Sequence, residues 1–218
     1  MSDFIRARSD QQKEERMEEI KHAVDQLFST KDYHEITLTT IAEALGWSRT
    51  KLYQYVTTKE EIFLELIGCK RDAYMDAFML TYPLGATYSL EVLSEVWANL
   101  LNSHCDYLRY SDILSTIIET NVSVERLAAF KQSYYIRAEK LNSRLADNLH
   151  ITTEQADHLS LAIYHYAIGM QCSCTKNPLI RQAMELIGKE IPPVNFCEVM
   201  KDYILMCLTW YTKKGDPV

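Results

Sequence analysis

Apolar residues along the chain recur at helical intervals and almost nowhere alternate. Met17, Ile20, Ala23, Val24, Leu27 and Phe28 fall at i, i+3 and i+4, which predicts an amphipathic helix over residues 10–30. Ser9, with Gln12 three residues on, has the form of a capping box in front of it. Thr37 is placed to cap a short helix whose inward face is Leu38, Ile41, Ala42 and Leu45. Gly46 then stands where a helix leaves through left-handed backbone. Ser48 caps a second short helix carrying Leu52 and Tyr55, and Thr58 with Glu61 opens a long one through Ile62, Leu66, Ala73 and Phe78. Residues 82–85, with Pro83, interrupt the pattern.

The rest of the chain continues in the same way. Ser89 opens a helix through Leu93, Trp97 and Leu101 to about residue 110, and Ser111 is placed to cap a short helix through Ile113, Ile117 and Ile118. Ser123 precedes Leu127, Phe130, Tyr134, Leu141 and Leu145, and Thr152 with Gln155 caps Leu159, Ile163, Tyr166 and Met170. Asn177-Pro178 sets a capping residue before a proline at the first helical position, in a helix ending near Gly188. Pro192-Pro193 marks a linker, and Asn195 with Glu198 starts a last helix through Val199, Tyr203, Met206 and Trp210. The fold class expected is all-α.

Composition narrows the class further. Six glycines and five prolines are too few for the turns of a β-sandwich or barrel, and 47% hydrophobic with 24% charged residues suits a globular chain. A net charge of −7 confines any nucleic-acid contact to a local patch. No apolar run approaches the ~20 residues that span a bilayer. Residues 1–10 carry Arg6 and Arg8 without an apolar stretch behind them, unlike a secretory signal, so the six cysteines are expected to be reduced thiols of a cytoplasmic protein.

Residues 37–61 have the layout of a helix-turn-helix, two short helices flanking a turn at Gly46. In the second, Leu52 can face inward while Arg49, Thr50, Lys51, Tyr53 and Gln54 occupy the polar side. Residues 48–59 hold three cations (Arg49, Lys51, Lys59) and no acid, although residues 1–60 hold 9 basic and 11 acidic side chains. Such a face either is merely solvated or suits a rod in the major groove, where base edges present donors and acceptors.

The run Thr37, Ile41-Ala42, Gly46-Trp47-Ser48, Leu52-Tyr53-Gln54-Tyr55-Val56 and Lys59-Glu60 resembles the DNA-binding domain of the tetracycline-repressor (TetR) family, and Ile20, Ala23, Leu27, Phe28 and Tyr33 are similar to that family's first helix. The likeness covers residues 6–61. Asp32, Trp47, Thr50 and Val56 depart from the usual residues; Thr50 adds a side chain on the DNA-facing surface, so operator sequence does not carry over. The resemblance implies that Tyr53 gives its hydroxyl to a phosphate, and that Thr37 and Lys59 contact phosphates at helix N-termini. It leaves Ser48, Arg49, Thr50, Lys51 and Gln54 at the interface, Arg49 being the first candidate for guanine. Tyr55 either joins them or packs under Lys59. The implied division is residues 1–60 for DNA and 61–218 for effector binding and dimerisation. The implied partners are a palindromic double-stranded operator, a second copy through helices at about 152–175 and 195–213, and a small-molecule effector. Function as a ligand-responsive repressor follows, without enzyme activity or cofactor. The rivals are an adaptor that no longer touches DNA and a helical enzyme.

Beyond residue 61 the resemblance thins. Trp97, Leu101, His104, Tyr107, Tyr134, Arg137, Tyr164 and His165 are the candidate pocket lining, although an aromatic at helical spacing is more often core and Arg137 is also readable as a solvated partner to an acid. Tyrosines outnumber phenylalanines 14 to 6, which points to an aromatic or amphipathic effector. Gly169 permits either a close approach or a kink. Cys172 and Cys174 point about 200° apart on a helix, and His158 and His165 share a face with no third ligand at motif spacing, so no metal site is expected. No phosphate-binding glycine loop, GxSxG elbow or HExxH occurs.

Overall fold

A computed structural model describes residues 2–174, 178–190 and 192–213, with side chains from residue 11 onward apart from 172–174 and Pro178. Among the described residues there is no strand. The helices are α1 (Ser2–Thr30), α2 (Leu38–Ala44), α3 (Arg49–Leu52), α4 (Lys59–Thr81), α5 (Leu90–Ser103), α6 (Cys105–Asp112), α7 (Val124–Leu149), α8 (Thr153–Cys174), α9 (Pro178–Leu186) and α10 (Phe196–Lys213), with a 3₁₀ turn at Tyr33–Glu35 and a π turn at Leu114–Ile118. They form two compact units, Met1–Cys69 with Leu114–Phe130, and Lys70–Ile113 with Lys131–Val218.

In the first unit, α1 begins at Ser2, so Ser9 lies inside the helix instead of capping it. Residues 2–30 contain neither Gly nor Pro to stop the helix earlier. Its inward face carries Ile20, Val24 and Phe28, buried with Ile36, Ile41, Leu52, Ile62 and Phe63. Phe28 and Tyr33 both meet the Phe63 ring edge to face, at 5.2 and 5.1 Å between centroids. Because α4 supplies Ile62, Phe63, Leu66 and Ile67 to the buried set, this unit extends past residue 60 to Cys69. It also recruits residues 114–130, in which Ile118 is fully buried.

The second unit is built on aromatic packing. Phe78 touches both Tyr82 and Trp97, at 4.6 and 5.1 Å. The Trp97 indole donates to the Tyr74 hydroxyl (2.9 Å) and Tyr82 to the Leu93 carbonyl (3.0 Å), so these buried polar groups are partnered. The helix expected over 89–110 is broken at His104 into α5 and α6. Ser103 bonds back to the Leu100 carbonyl and Asp106 accepts from the Tyr107 N–H, two short polar side chains competing for backbone groups. Ser111 is not a cap: it lies in α6 and donates to the Tyr107 carbonyl at 2.8 Å. The interruption at 82–85 is clamped by Asn148, which accepts from the Gly85 N–H and donates to the Pro83 carbonyl. Thr152 and Gln155 form the expected reciprocal cap of α8. Asn177 lies outside the described residues, but α9 does open at Pro178.

Burial pushes the phenols of Tyr74, Tyr82 and Tyr107 above their ordinary range. Such a group stabilises the fold fully below the unfolded tyrosine value of about 10, and that contribution is lost as pH climbs through the folded value. Urea stability is therefore expected to fall above pH about 10, with these three tyrosines ionising only as the chain unfolds. Ultraviolet phenolate titration alongside far-ultraviolet dichroism checks this; all 14 tyrosines titrating together in a still-folded chain would contradict it.

Candidate nucleic-acid interface

The turn between α2 and α3 is fixed by backbone chemistry. Thr37 caps α2, its hydroxyl accepting from the Thr40 N–H (3.1 Å) while the Thr40 hydroxyl accepts from the Thr37 N–H (2.9 Å). At the other end the Gly46 N–H reaches the Glu43 carbonyl (3.0 Å) and the Trp47 N–H the Ala42 carbonyl (2.8 Å), the paired bonds of a Schellman ending. That ending needs left-handed backbone, and Gly46 has φ +65°. Ser48 then caps α3 through the Lys51 N–H (3.2 Å). Although α3 is regular only over Arg49–Leu52, helical bonding continues to the Val56 N–H, which reaches the Leu52 carbonyl at 3.2 Å.

This geometry sorts the candidate residues. Leu52 and Val56 are buried, 1% and 4% exposed, and pin the element to the core. Thr37, Ser48, Arg49, Thr50, Tyr53 and Gln54 are exposed, Tyr53 at 48%. Lys51 is half-buried, its ammonium lying over the Trp47 ring 3.8 Å from the centroid, and the Tyr55 ring is tilted against the same indole with 5.6 Å between centroids. Trp47, a departure from the family pattern, therefore sets where one cation sits.

Lys59 behaves differently from its neighbours. Its ammonium donates to the Tyr33 and Ile36 carbonyls, at 2.9 and 2.7 Å, and stands 3.7 Å over the Tyr33 ring. Burial draws its pKa down. Tyr33, not Tyr55, is the ring beneath it, and the Tyr33 hydroxyl donates to Glu60. The side chain is thus committed inward, leaving the backbone N–H groups at the start of α4 as what this position can offer an anion. Sequence reasoning missed Glu60 and the inward turn of Lys59; the only signal was their adjacency.

The pocket candidates separate into two sets. Tyr74, which the sequence reading did not single out, gathers Trp97, His104 (5.8 Å) and Tyr107 (5.5 Å, stacked), and Tyr107 stacks in turn on Tyr164 at 5.6 Å. Leu101 is buried in the same unit, and burial with nearby Asp157 raises the Tyr134 phenol. Arg137 instead pairs with Asp76 (2.7 Å) and Asp72 (3.2 Å), and His165 is exposed. An added Cβ at Gly169 meets nothing within 4 Å in this chain. The side chains of Cys172 and Cys174 lie outside the described residues. Among the described residues no three His, Cys, Asp or Glu side chains are grouped to hold a metal ion, and no helix is long and apolar enough to cross a membrane.

Comparison with known sequences matches residues 20–66 to the model of bacterial regulatory proteins of the tetR family, and residues 75–211 to that of the tetracyclin repressor-like C-terminal domain. No curated protein sequence matches the chain. Among solved structures, a TetR/AcrR-family transcriptional regulator from Thermobifida fusca is similar at TM-score 0.57 and 16% identity, covering 90% of this chain and 98% of that one. The regulator PfmR from Thermus thermophilus gives 0.56 at 18% identity, over 88% and 94%. The fatty acid degradation regulator FadR from Bacillus halodurans gives 0.56 at 14%, also over 88% and 94%. At these identities the likeness to solved structures establishes the shared fold.

Replacing Lys59 by Met would leave two carbonyls without their cationic donor. Urea denaturation is expected to record a loss of about 1–3 kcal/mol. Unchanged stability would mean that water serves those carbonyls equally well.

Proposed function

The chain belongs to the tetracycline-repressor family of bacterial regulatory proteins, DNA-binding transcriptional regulators, and on that premise we propose that it is a ligand-responsive repressor gripping a palindromic operator as a homodimer. The observation that carries the reading is the acid-free run 48–59, delivered by the capped turn at Gly46 with Arg49, Thr50, Tyr53 and Gln54 exposed and Leu52 buried. In this proposal Tyr53 gives its hydroxyl to a phosphate. Thr37 and the first N–H groups of α4 hold two more, and the 23-residue α4 adds the positive end of its dipole. Arg49 reads guanine through its two-pronged donor set, with Thr50, Lys51 and Gln54 at neighbouring base edges and Ser48 beside them.

One such module meets too few phosphates for tight binding, hence two copies on a two-fold site. Helices α8 and α10 are the proposed seam. Their support is the outward face of α10, where Met206 and Trp210 are 60% and 59% exposed beside Leu205 and Thr209. A contiguous apolar face of this kind is costly on a lone subunit.

For regulation, the proposed effector enters the second unit near the Tyr74–Tyr107–Tyr164 stack, whose hydroxyls and rings suit an aromatic or amphipathic compound. Its binding favours a dimer in which α4 has swung and the two recognition helices no longer match successive major grooves ~34–36 Å apart. Lowering operator occupancy a hundredfold needs about 2.7 kcal/mol of preference for that geometry. The proposed place of action is the bacterial cytoplasm, where the operator is, and no cofactor or catalytic step enters.

Selection of bound duplexes from random-sequence DNA tests the reading: enrichment of an inverted repeat, bound by two copies, is expected. Arg49→Ala should then relax discrimination at particular base pairs by about 1–3 kcal/mol. Tyr53→Phe should weaken every duplex about equally, by roughly 0.5–1.5 kcal/mol. Anisotropy titrations of both variants check this, and indifference to both substitutions at low salt would favour an adaptor that has left DNA behind.

A further inference from the structure

Residues far along the chain from the helix-turn-helix take part in holding its following turn. The segment Leu114–Phe130 belongs to the first compact unit, and three local contacts hold it there. Ile118 at the end of the π turn is fully buried. The Asn121 side chain donates to the Ile117 carbonyl at 2.7 Å, closing that turn. Ser123 caps α7 through the Arg126 N–H at 3.3 Å. Arg126 is thus presented in the first turn of a helix whose approach is already ordered.

Its guanidinium meets α4. Arg126 Nε lies 3.2 Å from Glu61 Oε1, and Nη1 lies 3.5 Å from Glu65 Oε1. Glu61 is mostly buried, its side chain 13% exposed, and its other oxygen is already occupied. Oε2 accepts from the Thr57 N–H at 3.1 Å and from the Thr57 hydroxyl at 2.9 Å. The Glu61 N–H in turn reaches the Thr58 hydroxyl at 3.3 Å. One carboxylate therefore ties the turn 57–58, which leads into the N-terminus of α4, to a cation more than sixty residues downstream. Glu61 and Glu65 are also like charges one helical turn apart, a spacing that repels unless a cation lies between them.

Resting on the DNA-binding function given above, we infer that Arg126 is a positioning residue for the DNA interface. It acts through Glu61 to hold the Thr57–Thr58 turn, and with it the first N–H groups of α4, in the geometry that meets a phosphate. Arg126 touches no nucleic acid itself. A partly exposed ion pair has modest strength, so its removal is expected to weaken binding by no more than about fivefold.

The test is a double-variant cycle of Arg126→Gln and Glu61→Gln, with the duplex recovered by the parent protein from random-sequence DNA as probe and affinity followed across salt concentration. Amide exchange of the free proteins is measured in parallel. Arg126→Gln should bind about two- to fivefold more weakly with an unchanged salt slope, should add little further loss once Glu61 is Gln, and should speed exchange of the Thr57 amide. An equal loss in both backgrounds, with a salt slope shallower by about one, would make Arg126 a direct phosphate contact and overturn the inference. Parental affinity in Arg126→Gln, or unaltered Thr57 protection, would overturn it as well. If the parent protein binds no duplex, the DNA-binding function itself fails, while the exchange measurement, which needs no DNA, still decides whether Arg126 orders the turn.

Discussion

The DNA-facing unit turns on the environment of one aromatic ring. Tyr33 sits between the Lys59 ammonium above and the edge of Phe63 beside it, and its hydroxyl is bound to Glu60. Those three partners are in the first two turns of α4, whereas Tyr33 belongs to the short 3₁₀ turn that joins α1 to α2. A single side chain therefore fixes where the α1–α2 connection meets the start of α4. Lys59 also donates to the Tyr33 and Ile36 carbonyls, and the Glu35 and Ile36 N–H groups bond back to the Asp32 and Tyr33 carbonyls, so this short connection is tied by its own backbone as well as to α4. The helix-turn-helix is then suspended from both ends: Thr37 follows immediately, and Val56 anchors the far side.

Within that frame the polar side of α3 divides into held and exposed groups. Lys51 is held over Trp47, so its charge is delivered at nearly constant position. Arg49, Thr50 and Gln54 are exposed, and ordering such side chains against any partner costs rotamer entropy. The second unit follows a different design, in which aromatic rings exchange buried hydrogen bonds with one another and with backbone instead of projecting polar groups outward.

Much of this was legible in the amino-acid order, and the reasons are specific. The caps at Thr37, Ser48, Ser89 and Thr152 were readable because capping is a local contest between a side chain and the nearest N–H groups. The left-handed exit at Gly46 was readable for the same reason. What escaped were the events decided by competition or distance. Apolar periodicity runs through residue 104, but Ser103 and Asp106 divert the backbone there. Lys59 looked like a surface cation because nothing local shows that folding brings the carbonyls at 33 and 36 within its reach. Arg126 was invisible, since its partners lie on another helix and only the folded chain brings 61, 65 and 126 together. The helix start at Ser2 was missed because a capping box is permission to begin, not an obligation.

The chain has three indoles, and the fold gives each a separate post. Trp47 lies half-covered under a lysine at the α2–α3 turn, Trp97 is buried among the aromatic rings of the second unit, and Trp210 is exposed on α10 of the single chain. Emission colour and quenching depend on just these surroundings, so the molecule carries intrinsic optical reporters for the α2–α3 turn, the aromatic core of the second unit and the last helix. Single Phe replacements at two of the three would isolate each signal without any attached dye.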